Sequence, residues 1–266
     1  MSAATTTAPL AAPDAATDKR LNRLRAWNVG VGLILAAQAV LIAVLTNNFS
    51  LPVTATFMNG PPGTPSRLHH LFDVQVGWGV FAFLAISAGA LLIIASPPVF
   101  GWYKANLLQS RNYGRWIEYF FSSSLMIVLI SMITGISDIA ALLAIFGVNA
   151  AMILFGLLQE KYEQPGKPSW LPFWFGSFAG IIPWVAVVIY VWAPGLHVSP
   201  PGFVYGIIIT LFVFFNCFAL NQWLQYRRIG KWSDYLHGET VYVTLSLVAK
   251  SLLAWQVFAG TLVPPS

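Results

Sequence analysis

Seven long apolar runs, separated by short polar segments, constrain this chain more than any other feature of its sequence. A helix needs about 20 mostly apolar residues to cross the hydrocarbon core of a bilayer, and each run is of that order. Charged residues make up only 9% of the chain, whereas a soluble domain carries about 25%. The sequence therefore predicts an all-α membrane protein, a bundle of seven transmembrane helices, with spans at residues 27–45, 74–95, 116–137, 139–159, 170–196, 198–226 and 240–263.

The basic residues between the runs are distributed unequally between the two sides of this predicted bundle. Twelve of them lie on the side of the N-terminus, whereas the other side has only Arg67. Because Lys and Arg concentrate in cytoplasmic loops, we expect a multi-pass protein of the cell (plasma) membrane with a cytoplasmic N-terminus and an extracellular C-terminus. The twelve are Lys19, Arg20, Arg23, Arg25, Lys104, Arg111, Arg115, Lys161, Lys167, Arg227, Arg228 and Lys231.

Two local patterns set expectations for the helix boundaries. Residues 1–18 are rich in Ala, Thr and Pro and predict a disordered cytoplasmic tail, followed by a seven-helix membrane domain at residues 19–266. Pro97 and Pro98 predict the end of the second helix, because proline interrupts a helix interior. The third helix is then expected to begin near Trp102, which would place Glu118 well inside the bilayer.

The longest connection between runs, residues 46–73, is predicted to lie outside the cell. Residues 51–57 are rich in β-prone side chains, and residues 59–63 read Asn-Gly-Pro-Pro-Gly, which is typical of a turn. A short β-hairpin over the outer mouth of the bundle and an irregular loop are both compatible with this pattern. Our expected fold includes the hairpin-like loop.

Several classes of function lack support in the sequence. Cys217 is the only cysteine, so an intrachain disulfide is impossible, and no Cys/His pattern has the spacing of zinc ligands. His69 and His70 form the one adjacent histidine pair, which is more typical of a solvated surface than of a metal site. The basic residues are too dispersed to indicate a nucleic-acid surface. We therefore expect neither a metal site, nor an enzyme, nor a nucleic-acid partner.

Lys250 is the residue most indicative of function. It is the only charged residue in the seventh run and lies near its middle, where inserting a lysine costs roughly 2.5–3.5 kcal/mol. Such a lysine either forms a structural pair with a carboxylate or carries chemistry, since a buried amine can form a Schiff base with an aldehyde. Ser246 lies one helical turn earlier on the same face. We expect Lys250 to be a Schiff-base lysine.

Glu118 is the only carboxylate inside any predicted span. A protonated Schiff base needs an anion, so Glu118 is the candidate counterion. Ser122, four residues later, could donate a hydrogen bond to this carboxylate, although the serines at 122–124 could also bond the preceding turn of their own helix. Arg115, three residues earlier, could pair with Glu118 or reach the cytoplasmic boundary of the membrane instead.

Further side chains in the runs could surround a flat apolar ligand. Trp174, Pro183, Phe212 and Phe215 could clamp such a molecule, although each one alone is typical of ordinary packing. Asn149 is of a type that more often forms a helix–helix hydrogen bond. Besides Lys250, Glu118, Ser246 and Ser122, the predicted ligand-binding residues are Tyr119, Asn149, Met152, Trp174, Pro183, Phe212 and Phe215.

The motifs around these residues closely resemble those of the heliorhodopsins, retinal proteins that are distantly related to microbial rhodopsins and inverted in the membrane relative to them. The central motifs are Arg115-Trp-Ile-Glu-Tyr119 with Ser122-Ser-Ser124, and Leu245-Ser-Leu-Val-Ala-Lys-Ser251 with Leu253-Ala-Trp-Gln256. The resemblance extends over nearly the whole chain after residue 18, through Asn59-Gly-Pro-Pro-Gly-Thr64, Ala144-Ile-Phe-Gly-Val-Asn-Ala150, Gln159-Glu-Lys-Tyr162, Leu171-Pro-Phe-Trp-Phe-Gly176 and Pro201-Gly-Phe-Val-Tyr-Gly206.

The resemblance implies all-trans retinal on Lys250, with Glu118 as counterion and Ser246 beside the Schiff base. It also implies a homodimer and light sensing through a slow photocycle without obvious ion pumping. A face of small residues at Gly147 and Ala151 is suited to close helix contact in such a dimer. One departure concerns Leu35 and Leu91, which stand where members of the family can carry histidines, so uptake of the Schiff-base proton must use another group or water here.

These observations favour a light receptor in the lipid bilayer, whose change of conformation is sensed by an unknown signalling partner. The rival hypothesis is a light-driven or light-gated ion transporter. A proton pump needs a second carboxylate in the membrane to reload the Schiff base, whereas the region around Leu129 and Ile130 is purely apolar. A structural bundle or membrane enzyme without retinal would leave Lys250 unexplained.

Overall fold

The computed structural model describes residues 14–192 and 200–262. These residues contain eight α-helices and one β-hairpin. Seven of these helices are long and apolar enough to cross a membrane, so the protein is a multi-pass membrane protein. The elements in chain order are α1 (Ala15–Leu45), β1 (Ser50–Phe57), β2 (Arg67–Gln75), α2 (Val76–Ala95), α3 (Pro97–Leu107), α4 (Tyr113–Ile133), α5 (Ile139–Tyr162), α6 (Leu171–Trp192), α7 (Gly202–Arg227) and α8 (Tyr235–Val257).

Short polar side chains fix where several of these helices begin. Asp14 accepts a hydrogen bond from the Thr17 amide at the start of α1, and Asn112 accepts one from the Arg115 amide at the start of α4. Asp138 and Asp234 cap α5 and α8 in the same way. Each cap satisfies an amide that the first helical turn leaves without a partner. The polar segments between the apolar runs therefore act as helix boundaries.

The connection between α1 and α2 forms the antiparallel β-hairpin that the sequence analysis expected. Its register shifts between Val53 and Thr54, where the chain bulges. At this point the Thr54 amide donates to the Ser137 carbonyl at 2.8 Å, and the Thr54 and Ser137 hydroxyls are 2.9 Å apart. The hairpin is thereby attached to the connection between α4 and α5.

The helices pack mainly against their neighbours in the chain, and α8 closes the bundle by packing against α1. Of the seven spans, α4 is the most buried. Toward the hairpin end, the interior is filled by apolar side chains such as Phe83, Ile127 and Ile130, which are all fully buried. α4 packs against α2 and α5, α8 packs against α7 and α1, and charged side chains of α4 and α8 meet in the interior of the bundle.

The region between α2 and α4 corrects one expectation. Pro97 starts a separate helix, α3, which ends at Leu107, and α4 begins only at Tyr113. The expected start of the third membrane helix near Trp102 is therefore wrong. Proline suits the first turn of a helix, and the Asn112 cap then starts a new one. Glu118 consequently lies in the second turn of α4.

The expected disordered tail is also too long at its C-terminal side. Residues 15–18 form the first turn of α1 behind the Asp14 cap, whereas residues 1–13 lie outside the described part of the chain. The same holds for three of the predicted span ends, at positions 196, 198 and 263. Within the described residues, α8 begins at Tyr235, five residues before the predicted start at position 240.

Candidate functional site

Lys250 on α8 and Glu118 on α4 form a buried ion pair. The Lys250 Nζ atom lies 3.1 Å from Glu118 Oε1, and the two side chains are 3% and 7% exposed. Two unit charges about 4 Å apart attract each other by about 4 kcal/mol at an effective dielectric constant of 20. The fold thus brings together the two charged residues that stand alone in predicted spans.

Two serine hydroxyls stabilise the Glu118 carboxylate. Ser122 Oγ and Ser87 Oγ each lie 2.5 Å from Glu118 Oε1. Ser87 Oγ also lies 2.9 Å from the carbonyl oxygen of Phe83, but a hydroxyl has one proton to donate. The charged acceptor forms the stronger hydrogen bond, so we assign this proton to Glu118. The sequence analysis anticipated Ser122 and missed Ser87, which lies on α2, far from Glu118 in the chain.

Ser246 and Tyr119 complete the immediate surroundings of the amine. Lys250 Nζ donates to Ser246 Oγ at 2.6 Å. The ring centroid of Tyr119 is 5.1 Å from Nζ, within the distance at which an aromatic face attracts a cation. The Tyr119 hydroxyl donates to the Tyr242 carbonyl at 3.1 Å, which holds the ring in position. Both residues were among the predicted ligand-binding residues.

A large apolar cavity of about 830 Å³ lies next to Lys250. Its lining has the character of a small-molecule pocket, which is mostly apolar with a few placed polar groups. Five of the predicted ligand-binding residues line it, namely Tyr119, Met152, Phe215, Ser246 and Lys250. Its other lining residues include Trp116, Met126, Ile153, Gly156, Phe173, Gly176, Phe218, Gln222 and Tyr242. The cavity therefore combines an apolar wall with one amine.

Three predicted clamp residues lie elsewhere. Trp174 is 64% exposed on the outer face of α6, and neither it nor Pro183 nor Phe212 belongs to the described lining of this cavity. Pro183 is buried within α6, and Phe212 packs edge-on against Trp184 with ring centroids 5.3 Å apart. Successive helical residues differ by about 100° in direction, so the neighbouring Phe173 faces the cavity in place of Trp174.

Asn149, another predicted ligand-binding residue, is absent from the described lining of the cavity and joins two helices. Its Nδ2 atom donates to Ser123 Oγ at 2.9 Å and to Ser124 Oγ at 3.1 Å. These bonds join α5 to α4, as the alternative interpretation of a helix–helix hydrogen bond expected. Two of the three consecutive serines therefore serve as partners of Asn149, and the third, Ser122, serves Glu118.

A second cluster of buried charges lies one turn before Glu118 on α4, and we call Arg115, Glu160 and Glu239 the acidic triad. Arg115 Nη2 lies 2.7 Å from Glu160 Oε1, and Arg115 Nη1 pairs with Glu239 Oε1. Exposure of the three residues is 6%, 6% and 0%. Arg115 therefore pairs with these two carboxylates and not with Glu118, and it is buried in the first turn of α4.

The sequence analysis missed the two carboxylates of the acidic triad because of where the predicted spans stopped. Glu160 directly follows the span predicted at 139–159, and Glu239 directly precedes the one at 240–263. In the structure, α5 continues to Tyr162 and α8 starts at Tyr235. One signal in the sequence could have revealed them. Arg115 lies one helical turn from Glu118, and an arginine buried at that position requires anionic partners of its own.

Tyrosine and tryptophan side chains enclose the acidic triad. The Arg115 guanidinium lies 3.8 Å from the ring centroid of Tyr242, and Trp116 Nε1 donates to Glu160. Tyr103, on α3, is 1% exposed, and burial together with the nearby Glu239 carboxylate raises the pKa of its phenol well above the ordinary value. Tyr103 is therefore a neutral hydrogen-bonding group beside the acidic triad.

A smaller internal cavity of about 340 Å³ adjoins both clusters. Glu118 and Ser246 line it together with Arg115, Asn112 and Tyr103. Leu91 is part of the same lining, and Leu35 is fully buried in the apolar core. The two positions where a histidine was a possibility are thus both occupied by apolar side chains, of which Leu91 lines this cavity.

No group of three or more His, Cys, Asp or Glu side chains within the described residues is arranged to hold a metal ion. His70 instead pairs with Asp73, with Nε2 2.9 Å from Oδ1 at an exposed position on β2.

Gly147, in the predicted small-residue face, is exposed. A Cβ atom added there would meet no described atom within 4 Å, so this face of α5 is open.

The comparison with protein families agrees with this geometry. A family model described as Heliorhodopsin matches residues 24–262, a segment that contains the hairpin, both charge clusters and the large cavity. None of the curated proteins compared with the chain matches it. The chain belongs to the heliorhodopsin family, whose members are retinal-binding, rhodopsin-like photoreceptors rather than enzymes.

Proposed function

We propose that the protein is a light receptor in which all-trans retinal is bound to Lys250 as a protonated Schiff base and Glu118 is the counterion. The observation that carries this proposal is the 3.1 Å separation of Lys250 Nζ and Glu118 Oε1 at the edge of the large cavity. An apolar cavity with one amine and one adjacent anion fits the chemistry of a flat apolar aldehyde. When bound, retinal supplies light absorption and isomerisation.

The residues around Lys250 have distinct roles in this proposal. Glu118 stabilises the positive charge on Nζ, and Ser87 and Ser122 orient the carboxylate through their hydrogen bonds to Oε1. Ser246 orients Nζ through its 2.6 Å hydrogen bond. Met152 and Phe215 contribute apolar surface along the cavity. The protonated amine is thus held between an anion and a ligand-sized apolar space.

The distribution of polar groups favours a receptor with a slow, closed photocycle over an ion pump. Beyond Glu118 on α4, the buried side chains Ile127, Leu129 and Ile130 are all apolar and at most 1% exposed. The next acid along the chain, Asp138, accepts hydrogen bonds from the first amides of α5. Net transport needs ionisable groups toward both sides of the membrane, and the outer side offers none along this helix.

The proposed receptor acts as a dimer and signals through a partner. The open face of α5 at Gly147 supports a homodimer in which the backbones of two α5 helices approach closely. The loop charges favour a protein of the plasma membrane with a cytoplasmic N-terminus. In that orientation the acidic triad lies toward the cytoplasm. Isomerisation then biases a two-state bundle, and the conformational change is sensed by an unknown signalling partner.

Illumination of cells that express the retinal-loaded protein tests the receptor against the transporter. We expect a light-induced change in absorption without any light-induced pH change in an unbuffered suspension, with or without protonophore. Whole-cell voltage clamp should show no photocurrent that depends on voltage. A reproducible, protonophore-sensitive pH change or such a photocurrent would assign the protein to the transporters instead.

A further inference from the structure

We propose that Glu239 accepts the proton that Lys250 Nζ loses during the light-driven cycle. This inference rests on the proposed function, because it requires retinal on Lys250. In the transfer, the N–H bond at Nζ breaks and an O–H bond forms on the Glu239 carboxylate. One positive and one negative charge disappear together, so no other ion or redox partner is needed.

The charges of the acidic triad make it a base. Arg115 carries one positive charge, whereas Glu160 and Glu239 carry two carboxylates, so the ionised triad has one negative charge in excess. All three side chains are buried, and a buried charge without a partner is unfavourable. A proton that enters the triad cancels this excess. The Lys250–Glu118 pair, by contrast, is balanced at one charge of each sign.

Donor groups face both carboxylate oxygens of Glu239. Its Oε1 atom accepts from Arg115 Nη1, and its Oε2 atom accepts from Asn112 Nδ2 at 2.6 Å. The orientation of the Asn112 amide is fixed, because Asn112 Oδ1 accepts from the Arg115 amide at 3.0 Å. Both oxygens of Glu239 therefore accept hydrogen bonds, as the proposal requires of this carboxylate before it takes up the proton.

Glu160 is the weaker base of the two acids, because more donors hold its charge. Its Oε1 atom accepts from Arg115 Nη2 and from the Tyr235 hydroxyl, each at 2.7 Å. Its Oε2 atom accepts from the backbone N–H of Asn112 at 3.0 Å and from Trp116 Nε1. Hydrogen bonds to a carboxylate favour its charged form. The proton is therefore assigned to Glu239.

The smaller cavity offers the route between donor and acceptor. Its lining includes Glu118 and Ser246, which contact Lys250, and Arg115 and Asn112, which contact Glu239. Ser246 and Glu239 are two helical turns apart on α8, or roughly 10 Å. The polar groups in this lining could hydrogen-bond a water molecule that bridges part of this distance. Because Leu35 and Leu91 are apolar, neither of these side chains can take up the proton.

Light-minus-dark infrared spectroscopy of the retinal-loaded protein tests the assignment. In the parent protein, a C=O band of a protonated carboxylic acid should rise together with the blue-shifted state in which Nζ has lost its proton. In Glu239→Gln that band should be absent, and the amplitude of the blue-shifted state should fall about tenfold, equivalent to one pKa unit. Glu163→Gln, at an acid outside the triad, should leave both unchanged.

Other outcomes separate this inference from the proposed function. A band that persists in Glu239→Gln, or a parent protein whose Nζ never loses its proton, overturns the role of Glu239 while the pigment itself remains. Failure of the parent protein to form a pigment overturns the proposed function. If Glu239→Gln does not fold, Glu239→Asp should shift the frequency of the band, and an unshifted band overturns the assignment.

A second test uses the protein without retinal. The groups that face Glu239 from the surrounding elements are Arg115, Glu160, Tyr103, Tyr235 and Tyr242. On acidification, the first buried carboxylic acid band to appear should belong to Glu239, so it should be missing in Glu239→Gln and present in Glu163→Gln. The same first band in Glu239→Gln would show that another carboxylate is the stronger base.

Discussion

The Lys250–Glu118 pair and the acidic triad lie on the same two helices, α4 and α8, but they differ in charge balance. The pair has one cation and one anion, and serine hydroxyls supply the remaining hydrogen bonds. The triad has one cation for two anions, enclosed by aromatic and amide groups. A balanced pair can hold a charge separation in place, whereas an unbalanced triad can take up a further proton. The fold thus places a stable charge next to a proton site.

The two clusters also differ in what surrounds them. The small cavity joins the pair to the triad, whereas apolar side chains such as Ile127 and Ile130 occupy the interior beyond the pair toward the hairpin. Charged side chains therefore adjoin Lys250 on the side of the triad, whereas α4 carries no acidic or basic side chain between Glu118 and its end at Ile133. This asymmetry is the structural reason to expect a proton that leaves and returns on the same side.

The largest expected effect is the loss of the only cation of the triad in Arg115→Leu. Removing one partner of a buried ion pair leaves an uncompensated charge and costs roughly 3–5 kcal/mol, and here two carboxylates lose their partner. We expect a decrease of that size in the free energy of unfolding, measured in detergent. The control is Arg111→Leu. The Arg111 guanidinium donates to the backbone carbonyl of Lys161, so its loss should change the free energy of unfolding by about 0.5 kcal/mol or less. Equal stability of the two variants would mean that the triad is not structurally important.

The next effect concerns the pair, in Glu118→Gln. The anion stabilises the ground state of the pigment, where positive charge lies near Nζ, more than the excited state, so its loss should shift the visible band to the red. The anion also keeps the proton on the Schiff base. Losing about 4 kcal/mol of attraction should lower by about three units the pH above which the Schiff base loses this proton and the visible band disappears. Absorption and pH titration measure both. An unchanged band and titration would mean that another group is the counterion.

A smaller effect is expected for Ser87→Ala, which removes one donor from Glu118. The carboxylate then has one hydrogen-bond donor fewer, so its negative charge acts more strongly on Nζ, and the visible band should lie to the blue of the parent band. Ser131→Ala is the matched control, because Ser131 is buried and donates to the backbone carbonyl of Ile127 on its own helix. Identical spectra of the two variants would remove Ser87 from the account.

Lys250 and Glu118 could be predicted from the sequence because each is a single charge within a long apolar run, where the cost of burial makes a charge conspicuous. Glu160 and Glu239 could not be identified in this way. Each lies one position outside a predicted span, where a charge is normally assumed to face water. Only the continuation of α5 and α8 past those limits buries them.

The lining of the cavity was harder to predict than its charges. Trp174 and Phe173 differ by one position, or about 100° around the helix, and this rotation decides which ring faces the cavity. α6 itself carries apolar side chains on most of its faces, so the sequence pattern does not reveal which face packs in the bundle and which face contacts lipid. The partner of Glu118 on another helix, Ser87, likewise depends on how α2 packs against α4.

The most direct test of the central claim is the absorption spectrum of the parent protein and of Lys250→Ala after addition of all-trans retinal. Lys250 is the only lysine in the described cavity lining, so the parent should develop a visible band and the variant should not. Lys161→Ala, at the exposed end of α5, serves as the lysine control and should give the parent spectrum. A visible band in Lys250→Ala without any added amine would contradict the assignment of the Schiff base to Lys250.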